Sequence, residues 1–301
     1  MNSAFQAFMY SIIDYAGLFP PAALDISHAE KEYRSARDGP HGWMLGRFVI
    51  SAARLQESGI DASFPLSVLV PPDGDSTDYA FLRRFADIIQ AVETTIPGNG
   101  LSHDRCLELI VRLHNHLKIA GIADVKIFIE STALKAATGA LATFNGSDRS
   151  TSLPAQAGIK LRCGGVVESA FPSIATVAAA ISLSKERDVP IKFTAGLHQP
   201  LRNFSTTFDK MQHGFLNTFF ATLLHWGDVL AGEEITDCLL DENPDHFTFS
   251  PGGISWREHF LPMATLATLR NSRVISFGSC SFTEPLESLS NLGLLEDNAQ
   301  V

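Results

Sequence analysis

Cysteine is scarce in this chain of 301 residues: Cys106, Cys163, Cys238 and Cys280 lie far apart and form no CxxC pair. That spacing argues against a disulfide framework or a structural zinc site. Basic residues are also few, 23 against 33 acidic ones, for a formal net charge of −10. No run of Lys and Arg with interleaved aromatics occurs, so a nucleic-acid partner is not expected. No apolar run reaches membrane-spanning length, and residues 1–17 lack the basic and apolar regions of a secretory signal. The expected setting is therefore a reducing cytoplasm, with no membrane partner. GxGxxG after the first strand, HxH at the first strand and HExxH are missing too. Those absences weigh against dinucleotide binding and the common zinc hydrolases, and no cofactor is expected.

What the chain has is ample core material, 45% hydrophobic against 19% charged residues. Three segments repeat one pattern: Val125-Lys126-Ile127-Phe128-Ile129-Glu130, Ile159-Lys160-Leu161-Arg162-Cys163-Gly164-Gly165 and Ile191-Lys192-Phe193-Thr194-Ala195-Gly196. Side chains alternate faces along a strand, so each segment has one apolar face. The other faces carry Lys126, Phe128 and Glu130; Lys160, Arg162 and Gly164; and Lys192, Thr194 and Gly196. Strands that hide an apolar face behind helices and aim charge the other way suggest a barrel with a chemically active lumen.

The rest of the chain fits that reading. Strands are expected over 11–15, 47–51 and 66–70, in the three lysine segments, and over 247–250 and 274–277. Helices are expected between them, including 78–94, 102–120 and 256–269, and one starting at Ser27 with Glu30 completing a capping box. Regular alternation points to α/β with a parallel sheet, and eight strands in about 300 residues fit a (β/α)8 TIM barrel. The expectation is a single domain over 1–301, with a polar tail from about residue 296. An open doubly wound sheet is the alternative architecture.

Barrel enzymes place their chemistry at the C-terminal strand ends. Applied here, that rule collects Asp14, Arg54, Glu130, Arg162, Lys192, Thr194, His198, Ser250, Ser279 and Cys280. Crowding by Arg162 and Lys160 would lower the Lys192 pKa and prepare a Schiff-base nucleophile. The competing reading pairs the lysines with carboxylates such as Glu130 as structural ions. Glycine-rich ends at Ser250-Pro251-Gly252-Gly253 and Phe277-Gly278-Ser279 suit backbone capture of phosphate, or simply tight turns. His198 is the histidine best placed for proton transfer or metal ligation, ahead of His213. His114 and His116 sit two apart, the wrong spacing for one helical face. Cys163 and Cys280 end strands and could be thiolate nucleophiles beside Arg162 or His198, though a buried small hydrophobe is the commoner role for cysteine. Asp14 ends the first strand, before the apolar loop Gly17-Leu18-Phe19-Pro20-Pro21-Ala22.

Through the segments over 13–22, 192–200, 213–217 and 276–282, the whole chain resembles a conserved bacterial family; that resemblance implies no mechanism. Lys160, Lys192, Gly252-Gly253 and Phe277-Gly278-Ser279 are also similar to the deoxyribose-phosphate aldolase type of class I aldolase. That similarity implies a Schiff-base lysine, a tuning lysine on another strand and a phosphate loop on the last. The chain departs from that pattern by placing Lys192 one strand before the Gly252-Gly253 segment and by having Arg162 where the family has a small polar residue.

Together these readings give an expected lyase or isomerase acting on a small anionic, in one form phosphorylated, carbonyl compound. Lys192, His198, Glu130 and Asp14 would be catalytic. Lys160, Arg162, Thr194, Gly252, Gly253, Gly278 and Ser279 would bind the anion. One alternative is a metal-dependent hydrolase or lyase using Asp14, Glu130 and His198. Another is a non-catalytic barrel that binds a small anion or a partner, and a homo-oligomer is compatible with either.

Overall fold

The computed structural model describes residues 3–57, 60, 63–122, 125–147, 157–167 and 170–295. The polar tail expected from about residue 296 lies outside the described residues, as does most of the polar loop over 145–154. Eight parallel strands close into a barrel with interleaved helices, the expected (β/α)8 architecture. They are β1 (Ile13–Tyr15), β2 (Leu45–Ser51), β3 (Leu66–Leu69), β4 (Ile89–Thr95), β5 (Lys126–Glu130), β6 (Ala157–Arg162), β7 (Ile191–Thr194) and, last in the chain, β13 (Val274–Ser279). Their order round the barrel is β1-β13-β7-β6-β5-β4-β3-β2. Between β7 and β13 the chain adds a hairpin, β8 (Asn203–Ser205) with β9 (Lys210–Gln212). A three-stranded antiparallel sheet follows: β10 (Phe247–Ser250), β11 (Gly253–Trp256) and β12 (His259–Pro262).

Two strand assignments change, and they offset each other in the count of eight. The expected helix over 78–94 is a short helix at Ser76–Tyr79 and a 3-10 turn at Ala80–Phe85, followed by β4. Ile89, Val92, Thr94 and Thr95 are β-branched, which favours a strand over a last helical turn. Conversely, 247–250 is not a barrel strand. Pro251-Gly252 turns the chain so that Ser250 pairs with Gly253 in a hairpin. Gly253 has φ +153°, and a Cβ there would lie 2.0 Å from the Leu261 carbonyl oxygen, so only glycine fits. The helix expected over 256–269 is consequently shortened to Met263–Ser272, its first turns replaced by the hairpin. The helix after β1 starts one residue before Ser27: Asp25 is its cap and accepts from the His28 N–H at 2.9 Å.

Two compact units can be distinguished. The first comprises Met1–Gly46, Arg162–Ser182 and Phe193–Val301. Its core is aromatic: the Phe8 ring centroid lies 5.2 Å from Phe220 and 5.3 Å from Phe249, and Phe215 stacks on Phe277 at 5.3 Å. Arg270 is buried there, donating to the Phe8 carbonyl at 2.8 Å and to those of Val274 and Ile275. It thereby satisfies carbonyls that burial would otherwise leave costly.

The second unit comprises Arg47–Leu161 and Leu183–Lys192. Its longest helix, His103–Ile119, is capped by Ser102, which accepts from the Arg105 N–H at 3.2 Å. Cys106, Leu109, Ile110, Leu113 and Leu117 recur at helical spacing and form its buried stripe. That helix packs on Leu134–Ser147. No helix among the described residues is long and apolar enough to cross a membrane.

Candidate functional site

Two of the three lysines singled out in the sequence, Lys160 and Lys192, converge on one carboxylate of the second unit. Lys160 on β6 reaches Glu93 on β4 across β5, and Lys192 on β7 reaches the same carboxylate across two strands. Side chains of non-neighbouring strands meet this way only on the inner face of a closed sheet. Lys160 Nζ lies 2.8 Å from Glu93 Oε2 and 2.8 Å from Glu130 Oε2. Lys192 Nζ donates to Glu93 Oε1 at 2.5 Å and sits 5.4 Å from the centroid of the Phe128 ring. Ser67 Oγ on β3 also donates to Glu93 Oε1, at 2.5 Å. Two ammonium groups and two carboxylates thus form a charge-neutral quartet. Lys126, at the start of β5, is half-buried.

Burial alone would raise the Glu93 pKa. The charges of Lys160 and Lys192, and the hydrogen bonds they donate, outweigh it and hold the carboxyl far below its ordinary range. Burial alone would lower that of Lys160, yet Glu93 and Glu130 raise it above the ordinary lysine value. This differs from the expected crowding of cations. The two lysines share a carboxylate between them, and Lys160 is held as an ammonium ion. Side-chain exposure is 1% for Lys192, 4% for Lys160 and 3% for Glu93, but 12% for Glu130, at the C-terminal end of β5. Glu130 is the member of the quartet that solvent reaches most easily.

The remaining sequence candidates have other surroundings. Arg162 is exposed at the end of β6, so the groups that set Lys160 are the two carboxylates. Asp14 is fully buried and accepts from Ser276 Oγ at 2.6 Å. A Cβ on Gly46 would lie 2.5 Å from Asp14 Oδ1, so the aspartate requires glycine there. Thr194 is half-buried, and a Cβ on Gly278 would come within 2.8 Å of its Oγ1. Ser279 donates its hydroxyl to the Ser281 carbonyl at 2.6 Å, which commits it to the local turn. Gly252 and Gly253 belong to the β10–β11 hairpin, so the argument that seated an anion there on a seventh barrel strand no longer holds. His213 donates Nε2–H to the Pro172 carbonyl at 2.8 Å, and burial lowers its pKa.

His198 is paired with Glu284, Nδ1 to Oε2 at 2.7 Å, and its Nε2 lies 4.0 Å from Cys280 Sγ. Among the described residues no group of three or more His, Cys, Asp and Glu side chains could hold a metal ion. The three ligands of the metal alternative have separate partners: Ser276 for Asp14, Lys160 for Glu130 and Glu284 for His198.

Sequence reasoning missed Glu93, the residue that joins both lysines. Its signal was present in the β-branched run around it. It also missed Ser67, Ser276 and Glu284, single polar residues whose partners lie far away in sequence. A cavity of the first unit, about 720 Å3, has mainly apolar walls and only His41 and Asp245 as ionisable lining groups. Ionisable side chains also meet in the quartet and around Cys280.

The chain is thus a (β/α)8 barrel with an ionic interior. No protein-family model matches it, and comparison with curated proteins finds no match.

Proposed function

We propose that the barrel is an enzyme acting on a small anionic carbonyl compound, by isomerase or lyase chemistry at the Glu130 end of the quartet. The observation that carries this reading is the bridging position of Lys160, whose ammonium holds both Glu93 and Glu130. A fixed ammonium beside a reacting carbonyl stabilises the negative charge that develops on oxygen when an adjacent C–H or C–C bond breaks. Glu130, the most exposed member, accepts the proton. Lys192 then acts as a second fixed charge, one layer removed, rather than as an imine-forming amine. Phosphorylated and carboxylated substrates both suit the paired cations.

The burial of Lys192 favours a second reading: a barrel that binds a small anion or a partner without transforming it, with the quartet as part of its core. Thermal-shift screening against triose phosphates, pentose phosphates and 2-oxo acids tests the binding both readings need. A stabilising compound should lose its effect in Lys160→Met and keep it in Glu130→Gln, with both variants confirmed as folded by circular dichroism. Stabilisation by none of these compounds would remove support for the enzyme reading.

A further inference from the structure

Cys280 follows directly on β13, and of the four cysteines only it is part-exposed. Its sulfur faces His198 Nε2 at 4.0 Å, while Glu284 Oε2 lies 2.7 Å from Nδ1 of the same ring. A carboxylate only accepts, so Nδ1 carries the hydrogen and the Nε2 lone pair is directed toward the sulfur. These are the relations of a nucleophile, a base and a group that orients the base; the sulfur–nitrogen distance is long, as is common before a substrate is bound.

One further observation, a cavity beside the sulfur, points to a ligand, and the backbone N–H groups of Ala22 and of Cys280 itself favour the ionised thiol. Ala22 is held by the loop after β1, through Ala16 N–H to the Ser279 carbonyl, Ala23 N–H to Phe19 and Leu24 N–H to Gly17. Beside the sulfur is a cavity of about 500 Å3 lined by Tyr15, Leu24, Pro40, Phe282 and Leu286, with Glu32 at its wall. Tyr15 donates its hydroxyl to Glu32 at 2.6 Å, which leaves the lining near the sulfur largely apolar.

We propose that Cys280, His198 and Glu284 form an acyl-accepting site for esters or thioesters with a compact apolar acyl group. Sγ attacks the carbonyl carbon as Nε2 takes the thiol proton. The carbonyl oxygen becomes an oxyanion. Collapse breaks the bond to the leaving alcohol or thiol, which receives the proton from Nε2. Water, deprotonated by the same nitrogen, then releases the acid and restores the thiol. Burial raises the thiol pKa, more than the two N–H groups lower it, so the resting group is a neutral thiol that needs this base. Glu284 is a positioning residue. The site shares no residue with the quartet, so either proposal can fail alone.

The test uses p-nitrophenyl acetate with the full chain. A burst of p-nitrophenolate equal to the protein concentration is expected, with one acetyl group mapped by peptide mass spectrometry to Cys280. Cys280→Ser should abolish that adduct, and His198→Gln should slow the burst roughly 100-fold. Glu284→Ala should slow it with little change in the half-saturating ester concentration, and Glu284→Gln, which can still orient the ring, should restore part of the rate. Iodoacetamide provides a second measurement on the unmodified chain, where Cys280 should alkylate ahead of Cys106, Cys163 and Cys238. Absence of a burst from folded protein, an adduct on another residue, or an unchanged rate in His198→Gln would overturn the proposal.

Discussion

Glu93 Oε1 lies 2.5 Å from Lys192 Nζ, across two strands of the barrel, while its Oε2 takes Lys160 at 2.8 Å. One buried carboxylate therefore balances two buried cations, with Glu130 supplying the second negative charge. Removing one partner of such a pair strands an uncompensated charge, at a cost of about 3–5 kcal/mol. Glu93→Gln and Lys192→Met should each destabilise the fold by that order in urea unfolding. The double variant should lose less than the sum, because the two side chains are in contact. Strict additivity would contradict the pairing.

The pH dependence of stability should carry the same signature. The Glu93 pKa is depressed by folding, so its contribution is fully present above the ordinary carboxylate value of 4.5 and is lost as pH falls below it. The Lys160 pKa is raised, so its contribution is fully present below 10.5 and is lost at higher pH. Urea midpoints of Glu93→Gln should fall less steeply than those of the parent chain between about pH 5 and pH 3. Parallel acid limbs would show that Glu93 is not held as described.

Borohydride reduction with a carbonyl ligand should leave no lysine adduct. Lys160 is held as an ammonium ion and Lys192 is almost wholly buried, whereas imine formation needs an accessible neutral amine. Peptide mapping that finds a reduced adduct on Lys192 would restore the aldolase-type mechanism.

Asp14 depends on close packing as well as on its hydrogen bond. Ser276→Ala removes the donor to a buried carboxylate and should cost about 1.5–3 kcal/mol. Gly46→Ala places a methyl group 2.5 Å from Asp14 Oδ1 and should cost about 1–3 kcal/mol. Thermal unfolding measures both, and a neutral Gly46→Ala would contradict the packing.

The architecture was legible in the sequence because alternating patterns report faces directly. Lys126, Lys160 and Lys192 fell on strands, and the strand count of eight followed. What escaped was any feature set by partners distant in the chain. Glu93 sits 67 residues from Lys160 and 99 from Lys192, and its strand was masked by an apparent helix ending at 94. Phe247–Ser250 alternates as a barrel strand would, and only the hairpin closed by Gly253 shows otherwise. The crowding of cations expected around Lys192 missed Glu93 for the same reason: spacing could not place that carboxylate beside it.

The central claim is that Glu130 moves a proton next to a carbonyl held by charged lysines. Proton NMR of triose phosphates and 2-oxo acids incubated with the protein in deuterium oxide reads that step directly. Loss of the signal of the hydrogen adjacent to the carbonyl is predicted for at least one compound with the parent chain, and not with Glu130→Gln. Exchange with none of them, or equal exchange in Glu130→Gln, would contradict it.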